Sequence, residues 1–344
     1  MLAKSFTVGM LIVGAILGAG FASGGELISF FGIGTNPLII ALLVAVIIFL
    51  VSSLFLFVSS KVNTKSMSIV NQAVAGKLSF LADTFLLVNS LIVLSAMLAA
   101  TNSLGEMIIN PIFSPLYAIV IGIICAIISL KGSKGLITAN KIVSPLMIAT
   151  LIFVGLFISL TASGGRGISI GFNSVGIAII YVSMNMMLAA TVITTLGKLN
   201  KKTIFLSSGI AAISMGLLVF LLMTALNRFA GDTGHMSGMP TLDMARQIHP
   251  AVFYIMVIML TGGILTTILT AMTGLVSWFE NIFGGKLFSA FTVLAAGFIL
   301  SNLGFSTVIS LLYPIIGAIG LVYILLALIY SFRKQPSLIK ICKL

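Results

Sequence analysis

The nine residues from Gly18 to Glu26, GAGFASGGE, are the first in this chain whose types and order could do chemistry. Four of them are glycine and the last is a carboxylic acid, all within an apolar stretch. Each glycine weakens a helix by about 1 kcal/mol relative to alanine, so Gly18, Gly20, Gly24 and Gly25 together cost about 4 kcal/mol on water-based scales. A carboxylate at membrane depth adds roughly 2.5 to 3.5 kcal/mol on insertion scales. An interrupted helix accommodates both penalties. The N–H groups that open its second half can face an anion, and the carbonyls that end its first half can ligate a cation. Gly18, Ala19, Gly20, Phe21, Ala22, Ser23 and Gly24 are therefore the expected substrate-binding stretch. Close packing of continuous helices is the competing explanation, since Gly14 with Gly18 and Gly20 with Gly24 are both Gly-x-x-x-Gly pairs. Glu26 could carry a proton, meet a substrate ammonium, or simply favour the dipole of the second half-helix.

Two further apolar stretches carry polar atoms. In IIYVSMNMML the side chains of Tyr181, Ser183 and Asn185 fall near mid-membrane, either facing a substrate or bonding to neighbouring helices. In GGILTTILTAMTG, from Gly262 to Gly274, Thr266, Thr267 and Thr270 could each bond a carbonyl one turn earlier. With the Gly263 carbonyl, the hydroxyls of Thr266 and Thr267 would also offer three hard oxygens to a small cation.

The elements that must position these residues follow from composition. Charged residues make up 7% of the chain and hydrophobic residues 60%, which describes a polytopic membrane protein. Dividing the apolar runs into segments of roughly 20 residues predicts about ten transmembrane helices: 5 to 32, 37 to 60, 80 to 104, 112 to 130, 136 to 161, 172 to 197, 203 to 226, 251 to 279, 286 to 303 and 306 to 331. The net charge of +12 is then a matter of topology. With the N-terminus inside, Lys4, Lys61, Lys65, Lys77, Lys131, Lys134, Lys141, Lys198, Lys201, Lys202, Lys286, Arg333, Lys334, Lys340 and Lys343 fall on the cytoplasmic side, 15 of the 18 basic residues. Arg166, Arg228 and Arg246 fall outside. This partition argues against nucleic-acid binding and predicts a multi-pass protein of the cell membrane with both termini cytoplasmic. Lys4 and the small residues near Ala19 to Ser23 have the look of a signal peptide, but the loop charges fit an uncleaved first helix. Cys125 lies in the fourth span and Cys342 in the tail, so no disulfide is indicated.

The chain reads as a single transmembrane domain, 1 to 344, with a cytoplasmic tail from 332 to 344. Spans one to five (about 1 to 161) and six to ten (about 172 to 331) could form a 5+5 inverted repeat with helices 1 and 6 interrupted. The longest polar excursion, Asn227 to Pro250, contains PTLDMARQI from Pro240 to Ile248, a predicted short helix that could cap a vestibule or serve as a solvated connector. Asp232, His235, Asp243 and His249 in that region match no metal-ligand spacing. No nucleophile and base pair stands within the membrane, so an enzyme is not expected.

VGAILGAGFASGGELISFF, from Val13 to Phe31, and LLYPIIGAIGL, from Leu311 to Leu321, resemble the YkvI-like family of bacterial membrane proteins along essentially the whole chain. That family is similar to the amino acid, polyamine and organocation transporter superfamily, whose members share the leucine-transporter fold. The family usually has Gln where this chain has Gly25, so no side-chain contact is carried over there. The resemblance implies a sodium site formed by backbone carbonyls near Gly14 and Leu17, the Gly263 carbonyl and the hydroxyls of Thr266 and Thr267. That hydroxyl pair stands as far before the aromatic-acid sequence Trp278 to Glu280 as the hydroxyl pair of the superfamily's sodium-coupled members stands before a similar ending. A small zwitterion such as an amino acid would lie between Gly18 to Gly24 and Tyr181 to Asn185. No other cofactor is implied. The alternatives are proton coupling through Glu26, and a sensor or assembly protein that keeps the fold without transport.

Overall fold

The computed structural model describes residues 1–64, 66–109, 111–130, 133–164, 173–234 and 236–333. Lys65, Lys131, Arg166, His235, Lys334, Lys340, Cys342 and Lys343 lie outside the described residues, as do residue 172 and the tail from 334 onward; the side chains of Lys134 and Lys141 do so as well. The predicted first span comprises three helices, α1 (Leu2–Ile16), α2 (Ala19–Ala22) and α3 (Gly25–Phe31). Then follow α4 (Pro37–Val62), α5 (Met67–Ala75), α6 (Ser79–Ile108), α7 (Ser114–Ser129), α8 (Ser133–Thr161), α9 (Ser174–Thr194), α10 (Lys201–Thr233), α11 (Pro240–Ile248), α12 (Pro250–Phe283), α13 (Lys286–Ser301), α14 (Phe305–Thr307) and α15 (Tyr313–Phe332). A π-helical turn, Val308–Leu312, joins α14 to α15. No strand occurs among the described residues.

Seven of the helical stretches are long and apolar enough to cross a membrane, and three shorter apolar helices, Leu2–Ile16, Ser114–Ser129 and Lys286–Ser301, accompany them. The chain is an all-α, multi-pass membrane protein. The α4 helix shows why these elements are apolar all round: Ile40, Val44, Ile48 and Val51 are buried, while Leu38, Leu42, Val46 and Leu50 are exposed on the other face. One stripe packs in the bundle and the other meets hydrocarbon. Local caps fix several starts. Asn36 accepts from the N–H groups of Leu38 and Ile39 before Pro37 opens α4, and Asn200 accepts from Thr203 before α10.

The bundle centre is built on small residues. Beside Gly216 on α10 lie Ala41 and Ala45 of α4, and Gly317 and Gly320 of α15 lie against Ile180, Ser183 and Met187 of α9. One end of the bundle is tied by the Leu199 N–H donating to Ser60 Oγ and by Lys61 Nζ donating to the carbonyls of Tyr330 and Ser331. The other end is tied by Asn227, which accepts from the Gly34 N–H and donates to the Thr35 carbonyl, both at 2.9 Å.

Two sequence expectations change. The interruption expected in helix 6 is absent: α9 runs unbroken from Ser174 to Thr194. Between Ala178 and Thr194 it has neither glycine nor proline, and Asn185 satisfies its amide inside the helix by donating to the Tyr181 carbonyl at 3.0 Å. The segment from 60 to 80, read as a loop, contains α5. There Asn71 is held between Asp83 Oδ1, to which it donates at 2.6 Å, and the Tyr323 hydroxyl, from which it accepts at 2.7 Å.

Candidate functional site

The first span breaks where its glycines cluster. α1 ends at Ile16, Leu17 has ψ 70°, and Gly18 is extended at φ −83°, ψ 174°. That conformation is open to any residue. The position that requires glycine is Gly24, which joins α2 to α3 in the left-handed region at φ 78°. Because the chain turns aside after Ile16, no described main-chain N–H donates to the carbonyls of Gly14, Ala15 or Leu17. These are the oxygens that an interrupted helix leaves for a ligand.

The break lies against α12. A methyl built on Gly18 would stand 3.8 Å from Thr267 Oγ1, so the break faces the threonine pair. Both hydroxyls of that pair donate to the Gly263 carbonyl, Thr266 at 3.0 Å and Thr267 at 2.8 Å. Each hydroxyl oxygen keeps acceptor capacity while its proton is used within the helix. Gly14 faces another element, with Ser144 Oγ of α8 3.4 Å from where its Cβ would be. The Thr270 hydroxyl donates to the Thr266 carbonyl at 2.8 Å.

On the far side of the break α11 closes over the chain. The Thr241 hydroxyl donates to the Ala22 carbonyl at 2.7 Å, and the Thr241 N–H donates to the Ser23 carbonyl at 3.0 Å. Thr241, Leu242, Met244 and Ala245 are buried, so the segment is a packed cap and not a solvated connector. Other polar groups of that region serve local structure. His249 Nδ1 accepts from the Ala251 N–H, and Asp243 accepts from the Ser237 N–H. No cluster of metal-ligating side chains occurs among the described residues.

Glu26 stands in the first turn of α3 and is 5% exposed. Its carboxylate folds across α2 into the notch left by Gly20, where an added Cβ would overlap Oε1. Oε2 has no hydrogen-bond partner. Tyr181 of α9 and Tyr313 of α15 are both buried, and α3 packs on α9 and on the π-helical turn that precedes Tyr313. The Tyr181 ring is held edge-on by Phe30 and Phe31 of α3, each at a centroid distance of 5.2 Å. Ser183 is buried with an unpartnered hydroxyl. Two residues escaped the sequence reading: Thr241, which sits far along the chain in a polar loop, and Tyr313, which stands inside LLYPIIGAIGL and was legible as the polar residue of that stretch.

With this geometry in hand, comparison with known proteins is informative at the level of fold. No family model matches the chain and no curated protein matches its sequence. MhsT, solved in complex with L-phenylalanine, is similar with a TM-score of 0.69 at 16% identity over 97% of this chain and 93% of that one. Inward-facing Mhp1 is similar with a TM-score of 0.66 at 10% identity, over 92% and 73% of the two chains. Mhp1, a nucleobase-cation-symport-1 family transporter, in a closed conformation with bromovinylhydantoin bound, gives 0.61 at 12% identity, over 91% and 74%. The chain has the leucine-transporter-like fold. The finer YkvI-like resemblance has no family match behind it.

Proposed function

We propose that this protein is a secondary transporter that moves a small zwitterion, with amino acids the first candidates, across the cell membrane, and that sodium drives it. The observation that carries the reading is the main-chain break at Leu17–Gly18, buried in an apolar bundle and facing the Thr267 hydroxyl. Irregular backbone at membrane depth persists where it lines a binding site. The sodium ion would use the carbonyls near Gly14 and Leu17 with Gly263, Thr266 and Thr267, tying the first span to α12 when the substrate side is open outward. The substrate would lie along Gly18, Ala19, Gly20, Phe21, Ala22, Ser23 and Gly24 and against Tyr181, Ser183 and Asn185. That MhsT was solved with L-phenylalanine supports the choice of amino acids for the first assays.

Uptake into proteoliposomes under imposed sodium and proton gradients, across a panel of amino acids, tests the reading. No flux of any of them would remove it, and binding without flux would favour a sensor. A ligand that binds the folded state raises its melting temperature. Sodium should therefore raise it relative to choline in the wild type and not in the Thr266→Ala, Thr267→Ala double variant.

A second reading, proton coupling through Glu26, has its own support. The Glu26 carboxylate is buried with an unpartnered oxygen, while the threonine hydroxyls already bond within their helix. It predicts that Glu26→Gln abolishes uptake driven by a pH gradient and leaves substrate exchange intact.

A further inference from the structure

We propose that the hydrogen bond from the Tyr323 hydroxyl of α15 to Asn71 of α5 is a latch that keeps the Lys61 end of the bundle shut. The latch breaks when that end opens, and α5 then parts from α15. The inference rests on the transporter reading only for the purpose of that opening; the joint itself is read from the packing.

The helices form two packed sets. One contains α1, α4, α9, α10 and α15, and the other contains α6, α7, α12 and α13. α8 stands between them, against α10 and α12, and α6 also meets α2, α14 and the π-helical turn. At the Lys61 end the sets are joined by α5, nine residues that pack on α4, α6, α9 and α15. Such a helix is about 14 Å long, too short to cross a membrane, so α5 acts as a bridge and not as a span.

One face of α5 carries Val70, Asn71 and Val74, all buried, and Asn71 is 0% exposed. A buried amide is costly unless it is hydrogen-bonded. Asn71 finds its partners in both sets: Nδ2 donates to Asp83 Oδ1 of α6 at 2.6 Å, and Oδ1 accepts from the Tyr323 hydroxyl at 2.7 Å. The two sides are not held equally. Towards α6, the Ser68 hydroxyl also donates to Asp83, at 3.0 Å, and the short turn Gly76–Leu78 leads straight from α5 into α6. Hydrogen bonds to a carboxylate are roughly twice as strong as neutral ones. Towards α15 the polar joint is one neutral hydrogen bond among the described residues.

Beside that bond runs a narrow apolar crevice with room for little more than a water molecule. Its lining includes Met67 and Val70 of α5, Ala190 and Thr194 of α9, and Tyr323 and Ala327 of α15. A gap in the packing forfeits dispersion contacts along that edge. α15 is meanwhile fastened to its own set, since Lys61 of α4 donates to the carbonyls of Tyr330 and Ser331. The weak edge of α5 is therefore the one that faces α15. Breaking the latch there exchanges one neutral bond for bonds to water, a small net change that can be reversed in every cycle.

The experiment follows Thr194→Cys, at a crevice position that is 4% exposed, in a background lacking Cys125 and Cys342. The loop charges predict the Lys61 end to be cytoplasmic, so inside-out membrane vesicles are treated with an impermeant maleimide. The labelling rate is compared with and without Tyr323→Phe, which removes the hydroxyl and keeps the ring that meets Phe55 edge-on. Ala290→Cys on α13, at a position 1% exposed, reports any general loosening. Tyr323→Phe should raise the rate at position 194 by about threefold to tenfold and leave position 290 unchanged.

The latch is overturned if the rate at position 194 does not change, or if both positions speed up together, as a merely structural bond predicts. Should Tyr323→Phe not fold, Asn71→Leu, which removes the acceptor, decides by the same comparison. Uptake of a panel of amino acids into proteoliposomes separates this inference from the reading beneath it. Faster labelling at position 194 in a protein that moves none of them would sink the transporter reading and leave the latch as a joint of the fold. Amino-acid uptake by the wild type, with an unchanged rate at position 194 in Tyr323→Phe, would sink the latch and leave the transporter reading standing.

Discussion

Glu26 is a side chain whose burial works against the stability of the fold, because its Oε2 is withdrawn from water with nothing in exchange. Glu26→Gln should therefore raise the melting temperature of the ligand-free protein by about 2 °C, a gain common where a binding site holds a group at the expense of stability. A drop of several degrees would mean that the carboxylate has a partner in the folded protein. Gly20→Ala tests the same group from outside. The added methyl overlaps the Glu26 carboxylate, so that side chain must leave its notch. The cost should be about 1 to 3 kcal/mol, read by thermal or denaturant unfolding, with ligand binding lost. The sequence made Glu26 conspicuous, as a carboxylate beside glycines in an apolar run. It could not assign the role, because whether a buried acid is paired depends on side chains from α9 and α15.

The broken first span separates the roles of two glycines that read alike in the sequence. At Gly24 the backbone is left-handed, so Gly24→Ala should destabilise the protein by about 1 to 2 kcal/mol. Gly18 is in an ordinary extended conformation, so Gly18→Ala should fold normally while its methyl stands 3.8 Å from Thr267 Oγ1. Loss of the sodium-dependent rise in melting temperature without loss of stability is the expected signature, and equal destabilisation by both substitutions would contradict it. The short helix α11 is tied to the same break. Thr241→Val would leave the Ala22 carbonyl buried without its donor and should cost about 1 to 3 kcal/mol in thermal unfolding. That α11 would form was legible from Pro240, Asp243 and Arg246 at their places along one short segment. Its docking on α2 was not, since nothing local in PTLDMARQI distinguishes a packed cap from a solvated one.

Across the bundle, the two ends are held by different chemistry. Asn227 and Thr241 close the end that carries α11, while Ser60 with Leu199 and Lys61 with the last turn of α15 close the other. Between α4, α5, α9 and α15 at that second end lies a narrow apolar crevice, lined by Phe55, Met67, Val70, Ala190, Tyr323 and Ala327, with room for little more than a water molecule. The loop charges predict that the Lys61 end is cytoplasmic. Single cysteines at Lys61 and at Ser237, in a background lacking Cys125 and Cys342, should then react with an impermeant thiol reagent from opposite sides in intact cells, Ser237 from outside. Labelling of both from the same side would refute the topology.

The chain's solvent, its helical class and the location of its break were written in the sequence, because each is set by local quantities: the length of an apolar run, the density of glycine, the sign of loop charge. The threonine pair of α12 was visible for the same reason, being one turn of one helix. The unbroken course of α9 shows where symmetry misleads and local chemistry governs, since from Ala178 to Thr194 it has no glycine or proline at which to unwind, and Asn185 finds its acceptor one turn back. What only the tertiary structure decided was which distant groups converge. Gly20 makes room for the carboxylate of Glu26, Phe30 and Phe31 of α3 close on the Tyr181 ring of α9, and Thr241 takes the Ala22 carbonyl. These are meetings between residues often far apart in the chain, and their partners are selected by packing, which no single stretch of chain encodes.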